Sequence, residues 1–132
     1  MKNPFNKYVS LALQYAIAII YMQTLYYKFS AHPDSVYIFS KLGLEPYGRI
    51  GLGIVELVTA ILILLPKTKI IGGVISIFVI SGALVSHLGP LGIEVRGDGG
   101  KVFYLAVFVF LATILFLALN FKEYLQFKNR KN

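Results

Sequence analysis

Apolar residues in this chain run together in long blocks, without the strict alternation of strands or the single stripe of a soluble helix. Four blocks stand out, at about residues 8–29, 48–65, 70–88 and 102–121. Each is close to the ~20 residues that a helix needs to cross the ~30 Å hydrocarbon core of a bilayer. In lipid only a helix or a closed barrel satisfies its own backbone, and runs of this length predict helices. The polar breaks between them are unequal. Lys67-Thr68-Lys69 after Pro66 is so short that the second and third helices must form an antiparallel hairpin. Residues 30–47 and 89–101 are longer and rich in Gly and Pro. Within the first of these, Asp34 or Ser35 reads as the N-cap of a short helix over 36–42 that lies in the membrane interface. The pattern predicts an all-α, integral membrane four-helix bundle, one domain over residues 1–132, with a short interfacial helix in the first outer linker.

Composition sharpens this picture. The chain is 57% apolar and 14% charged, against about 45–50% and about 25% in soluble domains. A soluble core built from 132 residues could not hide that much apolar surface. There is no cysteine, which excludes a thiol relay, a disulfide framework and a thiolate metal site within this chain. There is no tryptophan either, so the nine tyrosines are left for the interfacial aromatic role. Lys2 and Lys7 before an apolar run imitate a signal peptide. Tyr26-Tyr27-Lys28-Phe29 offers no small-residue cleavage site after it, so the run reads as a retained anchor.

Net charge is +7, yet the basic residues flank apolar segments and no nucleic-acid motif accompanies them. Their distribution sets topology instead. Lys2, Lys7, Lys67, Lys69, Lys122, Lys128, Arg130 and Lys131 fall on one side. Lys28, Lys41, Arg49, Arg96 and Lys101 fall on the other, beside four acids. The positive-inside rule then places both termini in the cytoplasm and the two long linkers outside, and the basic tail favours anionic lipid.

Glu56 is the residue that breaks the pattern. It sits within GRIGLGIVELVTAILILL, where a carboxylate costs at least ~2.5 kcal/mol unless it faces a partner, a cavity or a neutralising proton. Alternating topology brings Lys28, Glu56 and His87 into one leaflet, all within roughly 12 Å of the outer surface at 1.5 Å rise per residue. Helical spacing agrees. Gln14, Tyr21, Thr24 and Lys28 form one stripe of the first helix, and Arg49, Gly53, Glu56, Thr59 and Ala60 share a face of the second. Gly72, Ser76, Ala83 and His87 make a looser face on the third. The fourth offers only Tyr104, Thr113 and Asn120, and is expected to be the most lipid-exposed.

Blander readings stand beside these. Glu56 either holds the bundle together by pairing with Arg49, Lys28 or His87, or binds a ligand or moves a proton. Lys28 alone reads as a snorkelling residue, and His87, between Ser86 and Gly89-Pro90, as a capped interfacial one. Gly48, Gly51 and Gly53 lack the strand and lysine of a phosphate loop. Gly72-Gly73 and the Gly82–Ser86 pair suit close helix packing. Gly97-Asp98-Gly99-Gly100 reads as a tight turn, and Glu94, Asp98 and His87 match no metal-ligand spacing, so no metal is expected.

The run HPDSVYIFSKLGLEPYGRIGLGIVELVTAILILLPKT, with SGALVSHLGPLGIEVRGDGG and the helix after it, resembles the DoxX family of small four-helix membrane proteins, mostly a bacterial branch. The recurring family pattern maps here onto Lys28, Glu56, His87 and Asp98. That resemblance implies a link to quinone-coupled membrane oxidoreductases, in the bacterial inner membrane and beside a partner subunit or a second copy. A quinone is the ligand it suggests, with no covalent cofactor. No redox-active side-chain pair and no haem or flavin motif is present, so a full oxidoreductase mechanism cannot reside in this chain alone.

The leading expectation is a polar pocket in which Glu56 exchanges a proton with Lys28 and His87 as partners. Tyr21, Lys28 and His87 would supply hydrogen-bond donors, with Thr24, Arg49, Thr59 and Asp98 in support. Two rivals remain. One is a non-catalytic scaffold or receptor that binds a protein through its outer linkers. The other is a small-solute or proton transporter, which would need an oligomer to build a lumen.

Overall fold

The computed structural model describes residues 3–132. Lys2, counted above among the basic flank, lies outside the described residues. Five helices follow in order: α1 (Pro4–Phe29), α2 (Pro33–Lys41), α3 (Tyr47–Leu64), α4 (Lys69–Leu88) and α5 (Lys101–Lys131). Among the described residues there is no strand. All but α2 are long and apolar enough to cross a membrane. The fold is therefore an all-α, four-helix membrane bundle. Helix α1 packs on α3 and α5, and α4 packs on the same two, which closes a ring. Helix α2 lies against α1 and α3 at one end. That end also carries the α4–α5 loop. The start of α1, the end of α5 and the α3–α4 turn are at the other.

Local chemistry sets the boundaries. Asn3 accepts the Phe5 N–H at 2.9 Å and Pro4 supplies a preset φ at the first helical position. The chain leaves α1 through Ala31, whose φ is 54°. For α2 the cap is His32, not the expected Asp34 or Ser35. Its Nδ1 accepts the Asp34 N–H at 3.2 Å, because Pro33 already occupies the first helical turn. Thr68 donates to the Leu62 carbonyl at 2.9 Å and so covers an open carbonyl at the end of α3. Helix α5 starts after the Gly97–Gly100 turn, where Gly97, Gly99 and Gly100 all take positive φ. It runs ten residues past the expected end at 121, since no Gly or Pro follows to stop it.

The core sits in the half of the ring nearer the termini. Ile17, Ala60, Ile63 and Phe116 have no exposed surface. Helices α3 and α4 approach closely here because Gly72 has no side chain: a Cβ on it would stand 2.6 Å from the Ile63 backbone nitrogen. Gly73 does the same for α5, where a Cβ would meet Leu117 at 2.6 Å. Most polar groups in this core are paired, the exception being Asn120 Oδ1, which is buried without a partner among the described residues. Gln14 donates to the Ile63 carbonyl at 2.6 Å, and Asn120 to Ser10 Oγ at 2.8 Å. The outer faces carry large apolar side chains such as Phe78 and Val85, 76% and 70% exposed, which only lipid would tolerate in such number.

One expectation changes. Gly82 does not serve helix packing: a Cβ there would find nothing within 4 Å. Helix α5 is the least buried of the four spans, as expected, yet it still supplies Val109, Thr113, Phe116 and Asn120 to the core, each at most 1% exposed. Its apolar residues surround the helix, so their pattern alone did not reveal the buried face.

Candidate functional site

Toward the α2 end the four long helices stand apart around a cavity of about 510 Å³. The apolar face of α2, with Phe39 buried, covers it. Most of the wall is aliphatic or aromatic, and a few polar side chains project into it. Lys28, Glu56 and His87 all line this one space. Phe78 and Gly82 of α4 also line it while being exposed, so the cavity opens sideways among membrane-facing residues.

The centre of the polar wall is an ion pair. Lys28 Nζ lies 3.0 Å from Glu56 Oε2, with both side chains largely buried. Thr24 Oγ1 stands 2.9 Å from the same oxygen. Both contacts fall on Oε2, and Oε1 has no hydrogen bond to the described residues. Of the three pairings open to Glu56 on sequence grounds, the lysine is the one formed. Arg49 turns away. Its Nε reaches both Glu45 oxygens, at 2.9 and 3.0 Å, and its terminal nitrogen bonds the Lys28 carbonyl, tying α3 to the end of α1. Thr59 is fully buried and donates to the Val55 carbonyl at 2.7 Å, so it serves its own helix and stays off the cavity wall.

Below the ion pair a chain of hydroxyls crosses the bundle. Tyr21 Oη lies 2.7 Å from Ser76 Oγ, and Ser76 Oγ lies 3.2 Å from Thr113 Oγ1. Thr113 donates to the Val109 carbonyl at 2.7 Å. One direction gives every proton an acceptor: Tyr21 to Ser76, Ser76 to Thr113, Thr113 to Val109. Tyr21 is thus tied to Ser76 while still lining the cavity. Beneath this chain, Ile17, Ala60, Ile63 and Phe116 close the floor.

His87 approaches the cavity from the end of α4. Its Nδ1 is 3.0 Å from the Gly92 carbonyl oxygen, and its ring meets Phe103 edge-on at 5.7 Å. A carbonyl only accepts, so Nδ1 carries a proton and donates it to Gly92. Asp98 lines the same space but is committed to backbone. It accepts from Val95, Gly100 and Val102 N–H groups at 3.0, 2.7 and 3.2 Å, and so fixes the loop and the start of α5. Burial pushes its carboxyl pKa up, but these N–H groups and nearby His87 outweigh that, and it lies below the usual 3.8. Among the described residues no cluster of three His, Asp or Glu side chains is placed to hold a metal.

A family model described as the DoxX-like family matches residues 12–117, which hold all of these side chains. The chain belongs to the DoxX-like family. No curated protein and no solved structure matches it. In this DoxX-like chain the structure therefore brings Tyr21, Thr24, Lys28, Glu56, His87 and Asp98 to one cavity and leaves Arg49 and Thr59 outside it.

Sequence reasoning passed over Ser76 as a partner and missed Ser35, a buried residue that also lines the DoxX-like cavity. A serine at the depth of Tyr21, on the face of α4 shared with Gly72 and His87, was the available signal for the first. For the second there was none, because the fold of α2 over the bundle decides it.

Proposed function

We propose that this DoxX-like protein is a small membrane subunit of, or accessory to, a quinone-linked oxidoreductase, and that its cavity holds a quinone-type head group. The observation that carries this is the meeting of Lys28, Glu56 and His87 on the wall of one largely apolar space. At about 510 Å³ the cavity falls inside the ~300–1,000 Å³ range of small-molecule sites, where apolar walls and few polar groups are the rule. Its opening beside Phe78 and Gly82 suits a ligand whose tail stays in lipid. Such a ligand supplies two-electron, two-proton redox chemistry. The chain's own part is to bind and orient the head through Lys28, Glu56 and His87, to exclude water with α2, and to hold a proton at Glu56 or His87.

The basic flanks support placing the protein in a bacterial inner membrane with both termini cytoplasmic, so that the cavity faces the outer leaflet. The electron-transferring centre belongs to a partner subunit, reached directly or through a second copy of this chain. The apolar floor beneath the hydroxyl chain supports a dead-end pocket over a conducting path. A benzoquinone bearing a photoreactive tail, added to membranes, tests the reading. Crosslinks should map to α3 and α4 around the cavity and fall several-fold in Glu56→Gln. Labelling confined to lipid-facing positions, or unchanged in the variant, would count against it.

A further inference from the structure

We infer that a second pocket, at the opposite end of the bundle, binds a phosphate group, carried by a phospholipid head or free in solution. Six side chains line it: Lys7, Ser10, Leu11 and Gln14 of α1, Lys69 at the start of α4, and Glu123 of α5. Its volume is about 240 Å³, room for a phosphate and the first carbons beyond it. Along α1 and α5, Ile17 and Phe116 stand between this pocket and the larger cavity, and neither has exposed surface. The two sites are therefore separate.

The wall is rich in donors. Two lysines line it against one acid. Neither Lys7 nor Lys69 forms an ion pair among the described residues, whereas Glu123 is already engaged. Ser10 is 3% exposed. Its oxygen accepts from Asn120 at 2.8 Å, and its own proton has no acceptor among the described residues. Gln14 gives one amide N–H to the Ile63 carbonyl at 2.6 Å and keeps its second N–H and its oxygen. The start of α4 adds to this. Thr68 holds the cap position, but its hydroxyl goes to the Leu62 carbonyl, so no side chain caps the first turn and no acid lies in it. Open backbone N–H groups and the positive end of the helix dipole thus lie beside Lys69, an arrangement that an anion relieves. A carboxylate has two oxygens to offer such a wall. A phosphate has more, enough to meet both lysines, Ser10 and the first turn of α4 together. Lys7 and Lys69 also flank apolar spans, the depth at which phospholipid heads lie.

The test uses the full chain, stripped of lipid in a maltoside detergent, which contains no phosphate. The probes are inorganic phosphate and dihexanoyl phosphatidylglycerol, and binding is read from broadening of their phosphorus NMR signals. Lys7→Gln with Lys69→Gln should weaken binding about tenfold or more. Lys128→Gln with Arg130→Gln removes the same charge from the end of α5, off the pocket wall, and should leave binding unchanged. All four positions lie outside the core, and equal melting temperatures of both double variants and the native chain confirm that folding is intact. Dihexanoyl glycerol, which lacks the phosphate, should not displace either probe. Binding of the lipid alone assigns the site to a membrane head group, and binding of phosphate alone assigns it to a solute; either supports the inference. Equal weakening in the two double variants would reduce the effect to diffuse charge and overturn it, as would binding of neither probe. The quinone-site reading is untouched by any of these results.

Discussion

Lys28 and Glu56 form a largely buried ion pair, and their pairing predicts an asymmetric mutational response. Removing one partner leaves a charge in a low-dielectric site, which costs about 3–5 kcal/mol. Lys28→Met should therefore lower thermal stability in detergent sharply. The double change Lys28→Met with Glu56→Leu should recover much of the loss, since replacing a buried pair by apolar groups is often near neutral. A double variant no more stable than the singles would contradict this. Asp98 makes a second residue-scale prediction. Its folded pKa lies below 3.8, so the stability it confers is present above that value and disappears as pH falls through the folded one. Melting temperatures of native protein and Asp98→Asn should differ at pH 7 and converge in strong acid. A gap that persists unchanged would remove the capping role. The sequence told which residues were out of place in lipid, because a carboxylate or imidazole in an apolar block is conspicuous. It did not tell which atoms they offer. That depends on partners such as the Gly92 carbonyl and Ser76, which no spacing rule connects to His87 or Tyr21.

At the scale of elements, the glycines separate packing from cavity. Gly72 lets α3 and α4 touch, and Gly72→Ala should cost about 1–3 kcal/mol, because the clash is with the Ile63 backbone, which cannot swing aside. Gly82, ten residues along the same helix, borders open space, and Gly82→Ala should shift stability by no more than about 0.5 kcal/mol. Thermal unfolding of the two variants side by side checks the contrast. Comparable losses at both positions would mean that α4 packs tightly along its whole length and that the cavity is not there. The long helices were legible from continuous apolar runs, and the hairpin from the brevity of residues 66–69. The cover was not. A nine-residue helix could lie on the membrane or on the bundle, and only the burial of Ser35 and Phe39 against α1 and α3 decides it. The extension of α5 to Lys131 was missed because a polar tail carries no hydropathy signal, whatever its helical content.

On the scale of the whole molecule, the ring divides into a sealed half and an open half. Side chains of zero exposure, Ile17, Ala60, Ile63 and Phe116, fill the first, and the cavity occupies the second. Proteoliposomes holding the protein should thus show no proton leak that depends on Glu56, and a leak abolished by Glu56→Gln would favour transport. The central claim is that the open half is a ligand site built on Lys28, Glu56 and His87. Its most direct test is purification in native nanodiscs from the source membrane, followed by mass spectrometry of everything bound, for native protein and for Glu56→Gln. The account predicts a redox-active isoprenoid or similar amphiphile with the native chain, depleted several-fold in the variant. An equal set of protein partners in both samples, with no small molecule in either, would contradict it and leave the glutamate a structural residue of a scaffold.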